Sequence, residues 1–216
     1  MLKLETFAVG PLGCNCSLLW DAESATGVVV DPVGEGPRIA RRVAELGFRV
    51  TALLHSHAHF DHVGATRELQ ELWQCPAYLH EGDGFLLDNL DLQTGMFGME
   101  AIRRPETTAL NAGDQHLGLA TLHTPGHTPG SCCFHGGFER GAVVLAGDTL
   151  FQGGVGRTDL WGGSWDQLEA SVQRELYPLA DATLVIPGHG PATTIGQEVT
   201  YTCLPPGSGT RVAYTQ

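Results

Sequence analysis

Hydrophobic and polar positions along the chain predict strands and helices that follow one another in turn. Short apolar runs that end in turn residues predict buried strands, and apolar positions at helical spacing predict amphipathic helices. The predicted strands are 1–7, 27–32, 50–54, 117–122, 132–134, 142–146 and 183–186. The predicted helices are 36–46, which Gly47 ends, 63–73 and 165–176.

Both halves of the chain contain several predicted strands together with helices, although no sequence repeat is visible. This order of elements predicts an α/β protein in which two sheets pack together and helices cover them outside, a four-layer αββα sandwich. A length of 216 residues fits a single domain over residues 1–216. Residues 196–216 are expected to form a C-terminal tail, because the Pro/Gly-rich run Leu204–Gly209 ends regular structure.

The segment Asp83–Arg104 fits neither half of this pattern. It is rich in Leu, Met and Phe, but its glycines break the helical periodicity. Helical packing against the core is one interpretation. A lid or a dimer surface is the other.

Charge and composition exclude several classes of partner. Lys and Arg number 12 against 24 Asp and Glu, a net charge of −12. An acidic protein is not expected to bind nucleic acid or anionic membranes, since both require a basic surface. The N-terminus lacks the features of a signal peptide, and no apolar run has the length of a membrane span. Six scattered cysteines indicate free thiols and therefore a cytoplasmic protein.

The segment His57-Ala58-His59-Phe60-Asp61-His62 carries the strongest chemical signal. His57 and His59 are two residues apart, so their imidazoles project to one side of an extended chain. Asp61 and His62 follow where the chain turns toward a helix. Three imidazoles beside a carboxylate suit a catalytic metal site that leaves positions open for water. The segment therefore predicts hydrolysis at a metal centre, with room for two ions.

Three further residues of metal-binding type follow predicted strands in the second half. They are His127 in the turn Thr124–Gly130, Asp148 after Gly147, and His189 in Gly188-His189-Gly190. Each alone is a weak signal, but active-site loops of layered α/β folds lie at strand ends. Their joint occurrence after strands, in this order downstream of the first cluster, is a stronger signal than any one of them.

This order of motifs resembles the metallo-β-lactamase-fold superfamily. The stretches 124–131, 147–151 and 188–191 are most similar to its glyoxalase II (hydroxyacylglutathione hydrolase) branch, in the short bacterial form. The resemblance implies that His57, His59 and His127 bind one metal ion and that Asp61, His62 and His189 bind the second. Asp148 would bridge the two ions. Zn²⁺ is the expected metal, and a His/Asp set without thiolate also admits Fe or Mn.

The resemblance implies a hydrolase that cleaves S-lactoylglutathione to lactate and glutathione through a metal-bound hydroxide, which Asp61 would help to orient. The partner would be this small glutathione thioester, and the protein a monomer or homodimer. Arg157 and Thr158 are the expected substrate-binding residues, because a guanidinium can bind a substrate carboxylate through two hydrogen bonds. A local pair between Arg157 and Asp159 is the alternative for that side chain.

Other functions remain open at this point. The segment 156–159 also resembles a segment of persulfide dioxygenases, and by that resemblance His57, His127 and Asp148 of this chain would hold one iron, and the chain would oxidise glutathione persulfide. β-Lactam hydrolysis, RNA processing and a metal-loaded scaffold without activity are weaker alternatives. His55, in an apolar strand, is interpreted as a packed core residue. Cys14 and Cys16 are interpreted as buried small side chains.

Overall fold

The computed structural model describes residues 2–202 and residue 204. The chain divides into two compact units, with the boundary between Leu110 and Asn111. Residues 205–209, where the sequence predicts the end of regular structure, lie outside the described residues. The expectation of one domain over residues 1–216 stays a prediction.

The first unit contains one six-stranded sheet with its strands in chain order. Its strands are β1 (Leu2–Val9), β2 (Cys14–Asp21), β3 (Thr26–Val30), β4 (Arg49–Leu54), β5 (Ala77–Leu79) and β6 (Thr107–Ala109). Its helices are α1 (Gly36–Leu46), α2 (Phe60–Val63), α3 (Thr66–Trp73), α4 (Gly84–Leu87) and α5 (Leu90–Met96). β1, β2 and β3 pair antiparallel, whereas β3, β4, β5 and β6 pair parallel.

Parallel pairing brings the loops after β3 and β4 to the same edge of the sheet. Asp31, directly after β3, donates its backbone N–H to the carbonyl of Leu54 at 2.9 Å. Helix α1 crosses between the two strands, buries Ile39 and Val43 on its inner side, and ends at Gly47 in the left-handed conformation, as predicted. The segment His57–His62 therefore follows the end of the buried strand β4.

The predicted helix 63–73 is wrong in one respect, because the structure has two helices there, α2 and α3. A turn at Gly64 and Ala65 separates the two helices, and the N–H of Ala65 donates to the carbonyl of Pro32 at 2.9 Å. A Cβ atom at Gly64 would lie 2.1 Å from the carbonyl oxygen of Val33. Close contact with the loop after β3 thus separates the short helix α2 from α3.

The second unit contains a six-stranded sheet in the order β14-β13-β10-β9-β8-β7 and a small hairpin. Its strands are β7 (Gln115–His116), β8 (Leu119–His123), β9 (Cys132–Phe138), β10 (Gly141–Gly147), β11 (Leu150–Phe151), β12 (Gly154–Val155), β13 (Leu184–Pro187) and β14 (Thr193–Thr194). Its helices are α6 (Trp165–Ser171), which continues in a wider π-helical stretch (Val172–Leu176), and α7 (Ile195–Tyr201). Helix α7 thus occupies the start of the predicted tail.

The predicted strand at Leu117 begins two residues too early. Leu117 and Gly118 both have positive φ, 50° and 77°. Two such residues form the tight turn that joins β7 to β8, because their twist matches that of the paired strands. The strand therefore starts at Leu119.

The segment 83–104 contains α4 and α5, which agrees with helical packing. Its leucines Leu86, Leu87 and Leu90 form an apolar cluster with Ala58, Phe60, Val63 and Leu79. No described helix has both the length and the apolar character needed to cross a membrane. The fold is α/β in both units, as the sequence predicts.

Candidate metal centre

In the first unit, four residues of the predicted metal-binding set lie in the loop after β4 and the first turn of α2. His57 and His62 are fully buried. The Nε2 atom of His57 lies 3.0 Å from the Nδ1 atom of His59, and the rings of His57 and His62 have centroids 4.0 Å apart. Asp61 is 12% exposed, with a carboxylate oxygen 3.9 Å from Nε2 of His62. The structure therefore brings these four side chains together.

A buried carboxylate anchors two of these imidazoles from behind. One oxygen of Asp31 accepts the backbone N–H of Ser56 at 2.8 Å. The other accepts the Ser56 hydroxyl at 2.7 Å and lies 3.1 Å from Nδ1 of His62. The Oγ atom of Ser56 lies 3.0 Å from Nδ1 of His57.

This network fixes which nitrogen of each ring carries the proton. The Ser56 hydroxyl donates its hydrogen to Asp31, so its oxygen accepts the Nδ1–H of His57. The Nδ1–H of His62 donates to Asp31 in the same way. Both rings then have their lone pair on Nε2, the state in which an imidazole binds a metal ion.

Cys14 is a further neighbour of His62 that the sequence interpretation did not connect to the site. Its Sγ atom lies 3.6 Å and 3.5 Å from the two ring nitrogens of His62. Burial raises the pKa of this thiol to about 12, despite the opposing influence of His62. Cys14 and Cys16 are both fully buried, as predicted.

In the second unit, His127 lies in the loop between β8 and β9. Its Nδ1–H donates to the carbonyl of Arg157 at 2.7 Å, which again leaves the lone pair on Nε2. That Nε2 atom lies 3.6 Å from a carboxylate oxygen of Asp148. Gly156 permits this close packing, because a Cβ atom there would lie 1.8 Å from the carbonyl oxygen of Asp148 and 3.2 Å from Nδ1 of His127.

Asp148 and His189 follow the neighbouring parallel strands β10 and β13. The N–H of Gly188 donates to the carbonyl of Gly147 at 2.7 Å, which holds the two loops side by side. Nε2 of His189 lies 3.9 Å from the Asp148 oxygen that also faces His127. The second unit thus brings its three predicted metal-binding residues together around one carboxylate.

The geometry within each unit fits a metal ion. Two ligands bound to one ion at about 2.0–2.2 Å lie roughly 3–4 Å apart, and the distances given above fall in this range. The separations of 3.6 and 3.9 Å around Asp148 are too long for hydrogen bonds. The donors are imidazoles and carboxylates, which suit zinc, iron and manganese alike.

Arg157 makes a local ion pair. Its guanidinium donates two hydrogen bonds to the carboxylate of Asp159, at 2.7 and 2.8 Å. This pairing lowers the pKa of Asp159 to about 2. Arg157 is 45% exposed at its side chain, and Thr158 beside it is half-buried. The substrate contacts expected of Arg157 and Thr158 stay predictions.

His55 is fully buried, as predicted for a core residue. Its Nε2 lies 3.3 Å from the Thr66 hydroxyl, and burial lowers its pKa to about 4.

Sequence reasoning missed the anchoring roles of Asp31 and Ser56. The available signal was a carboxylate placed directly after the apolar run Val28–Val30.

Comparisons with known proteins agree with this geometry. The family model of the metallo-beta-lactamase superfamily matches residues 9–189. The probable metallo-hydrolase YqgX of Bacillus subtilis is 38% identical over 90% of this chain and 93% of its own length. The hydroxyacylglutathione hydrolase GloC of Haemophilus influenzae is 38% identical over 91% and 95%.

A solved structure, the crystal structure of TTHA1623 in a di-iron-bound form, superimposes with a TM-score of 0.84. It is 39% identical and covers 92% of this chain and 98% of that one. The family model spans most of the sequence and includes every predicted metal-binding residue from His57 to His189. The chain therefore belongs to the metallo-β-lactamase superfamily and has its α/β fold, a fold that binds divalent metal ions.

Proposed function

We propose that the chain is a metal-dependent hydrolase of thioesters and that it cleaves S-lactoylglutathione to lactate and glutathione. Its seven His and Asp side chains would hold two divalent ions, paired as the family resemblance implies. His57, His59 and His127 would bind the first ion, Asp61, His62 and His189 the second, and Asp148 both. Zinc is the proposed metal.

The observation that carries this proposal is the anchoring of the imidazoles. His57, His62 and His127 each donate Nδ1–H to an oxygen behind them, so each presents Nε2 as a ligand atom. Such outer hydrogen bonds orient the rings and increase their basicity as ligands.

Metal ions bound here would lower the pKa of a coordinated water and polarise the substrate carbonyl. The side chain of Asp61, at the first turn of α2, would orient the attacking water by accepting a hydrogen bond. The buried groups around His57 and His62 exclude solvent from the rear of the site. The leaving group is the thiolate of a thiol whose pKa is about 8.5, so its departure needs little help from a general acid.

The likeness to GloC over most of both chains supports a glutathione thioester as substrate. Arg157 and Thr158 would contact it, with a substrate carboxylate replacing Asp159 at the guanidinium. A half-exposed pair of this kind is worth little in water, so the exchange is energetically accessible. None of the five described cysteines is in a disulfide, which supports the proposed cytoplasmic location.

The test combines metal analysis with activity. Protein purified without added metal is analysed for zinc, iron and manganese, and hydrolysis of S-lactoylglutathione is then followed after reconstitution with zinc. We expect two ions per chain and thioester cleavage that chelation removes. One tightly bound iron with oxygen uptake on glutathione persulfide would replace the proposal with a dioxygenase. Two ions with no thioester cleavage would contradict the proposed substrate.

A further inference from the structure

Ala58 and Phe60 alternate in sequence with the candidate ligands His57, His59 and Asp61 but make different contacts. Ala58 and Phe60 are buried in the apolar cluster that contains Leu86, Leu87 and Leu90 of the α4–α5 segment. Ala58 lies between His57 and His59 in an extended stretch, so its side chain faces away from theirs. The α4–α5 segment therefore packs against the rear of the loop after β4.

Two polar side chains, Asp83 just before α4 and Gln93 on α5, form hydrogen bonds with the backbone of this loop. Asp83, fully buried, accepts the N–H of Ala58 at 3.0 Å. Gln93, on α5 and only 6% exposed, accepts the N–H of Phe60 at 3.0 Å. The amide nitrogen of Gln93 donates to the carbonyl of Ala58 at 3.3 Å and to that of Leu86 at 2.9 Å.

The hydrogen bond from Phe60 has a specific consequence for α2. Phe60 is the first residue of this helix, and the first N–H groups of a helix have no partner within the helix. The residue before it, His59, provides no side-chain cap. Gln93 therefore acts as the cap of α2 from a distant part of the sequence, and α2 carries Asp61 and His62.

We infer that Gln93 is a positioning residue for the metal-binding loop: its amide locks the backbone on both sides of His59 and caps the helix that carries Asp61 and His62. Ligands must be held within about 0.5 Å of their productive geometry to bind a metal ion well. A four-residue helix cannot supply that rigidity by itself. This inference rests on the proposed metal centre and assigns the α4–α5 segment as the support of its first half.

Zinc alone and amide hydrogen exchange are the probes of this inference. Gln93→Leu removes all three hydrogen bonds, whereas Gln93→Glu keeps an acceptor for Phe60 and loses the donors. Asn89→Ala is the matched control, because the amide of Asn89 donates only within the same segment, to the carbonyl of Phe85 at 2.7 Å. We measure zinc release to a chromogenic chelator, the exchange of the Phe60 amide in metal-free protein, and the metal-free Tm.

We expect Gln93→Leu to release zinc about tenfold faster and to lose most protection of the Phe60 amide, because outer partners of metal sites typically contribute factors of 10–100 in affinity. Gln93→Glu should lie between this variant and wild type, and Asn89→Ala should match wild type. A purely structural role would lower the metal-free Tm and leave the zinc release rate unchanged, and this outcome would overturn the inference.

The inference and the proposed substrate fail in different ways. If the wild-type protein does not cleave S-lactoylglutathione but Gln93→Leu still releases zinc faster, the thioester proposal fails and the positioning role of Gln93 stands. Should Gln93→Leu not fold, Gln93→Glu carries the comparison with Asn89→Ala. Equal Phe60 exchange in wild type, Gln93→Leu and the control would overturn the inference even if no zinc binds, since exchange is measured in metal-free protein.

Discussion

Replacing Asp31 by Asn tests whether the buried carboxylate sets the protonation of His57 and His62, two of the candidate metal ligands. The amide is nearly isosteric and keeps one oxygen for the backbone N–H of Ser56, which now lies 2.8 Å from the carboxylate. Its NH₂ group would face Ser56 Oγ and His62 Nδ1, which now approach the other oxygen to 2.7 and 3.1 Å. Both positions would then meet a donor instead of an acceptor.

His62 can adapt only by accepting at Nδ1, which moves its proton to Nε2 and removes the ligand lone pair. The Ser56 hydroxyl must also turn, which weakens its hold on His57. We expect zinc affinity to fall by a factor of about 10–100, or roughly 1.4–2.8 kcal/mol, at the site that contains His62. Asp31→Glu keeps the charge but shifts the oxygens, and should lose less than Asp31→Asn if the tautomer is decisive.

The assay is competition for zinc against a chelator of known affinity, with the number of bound ions measured after dialysis. Circular dichroism of each metal-free variant checks the fold. Asp21→Asn is the control, because this carboxylate caps a surface turn by accepting the N–H groups of Glu23 and Ser24. Undiminished zinc affinity and stoichiometry in correctly folded Asp31→Asn would refute the tautomer argument.

Three more predictions concern the second unit. Asp148→Ala should lose both zinc ions and His189→Ala only one, because the Asp148 oxygen faces both His127 and His189; metal analysis after dialysis measures the difference. Arg157→Ala should raise KM for S-lactoylglutathione far more than it lowers kcat, whereas Asp159→Asn should lower KM by freeing the guanidinium. Gly156→Ala should cost on the order of 1–3 kcal/mol of stability and reduce zinc occupancy, measured by thermal unfolding and metal analysis, since its Cβ would overlap the carbonyl of Asp148.

Each of these predictions has an outcome that would contradict it or a control variant. A single remaining zinc ion in Asp148→Ala would contradict its contact with both ions. Equal losses for Arg157→Ala and Asp159→Asn on a thioester without carboxylates would assign that pair to loop structure only. Gly137→Ala, where a Cβ atom would meet nothing within 4 Å, checks whether Gly156→Ala acts through the close approach or through the added methyl group alone.

The sequence determined the fold class, most secondary structure and the candidate ligands, because these depend on local pattern. Apolar periodicity placed α1 and the buried strands, and Gly47 ended its helix where predicted. The alternation of His57 and His59 after a buried strand indicated metal chemistry before any contact was known. Local pattern failed where distant backbone intervenes, as at Gly64, where the loop after β3 breaks a continuous helix.

Only the tertiary structure decided which side chains serve these ligands. Asp31 lies 25 residues before Ser56, and Gln93 lies 33 residues after Phe60. Parallel pairing of β3 with β4 brings the first pair together, and packing of α5 on the loop brings the second. Their sequence neighbourhood does not show which groups Asp31 and Gln93 would contact, because their hydrogen-bond partners are supplied by chain folding. The candidate ligands could be named from their spacing and from the family resemblance, whereas only the tertiary structure shows the groups that orient them.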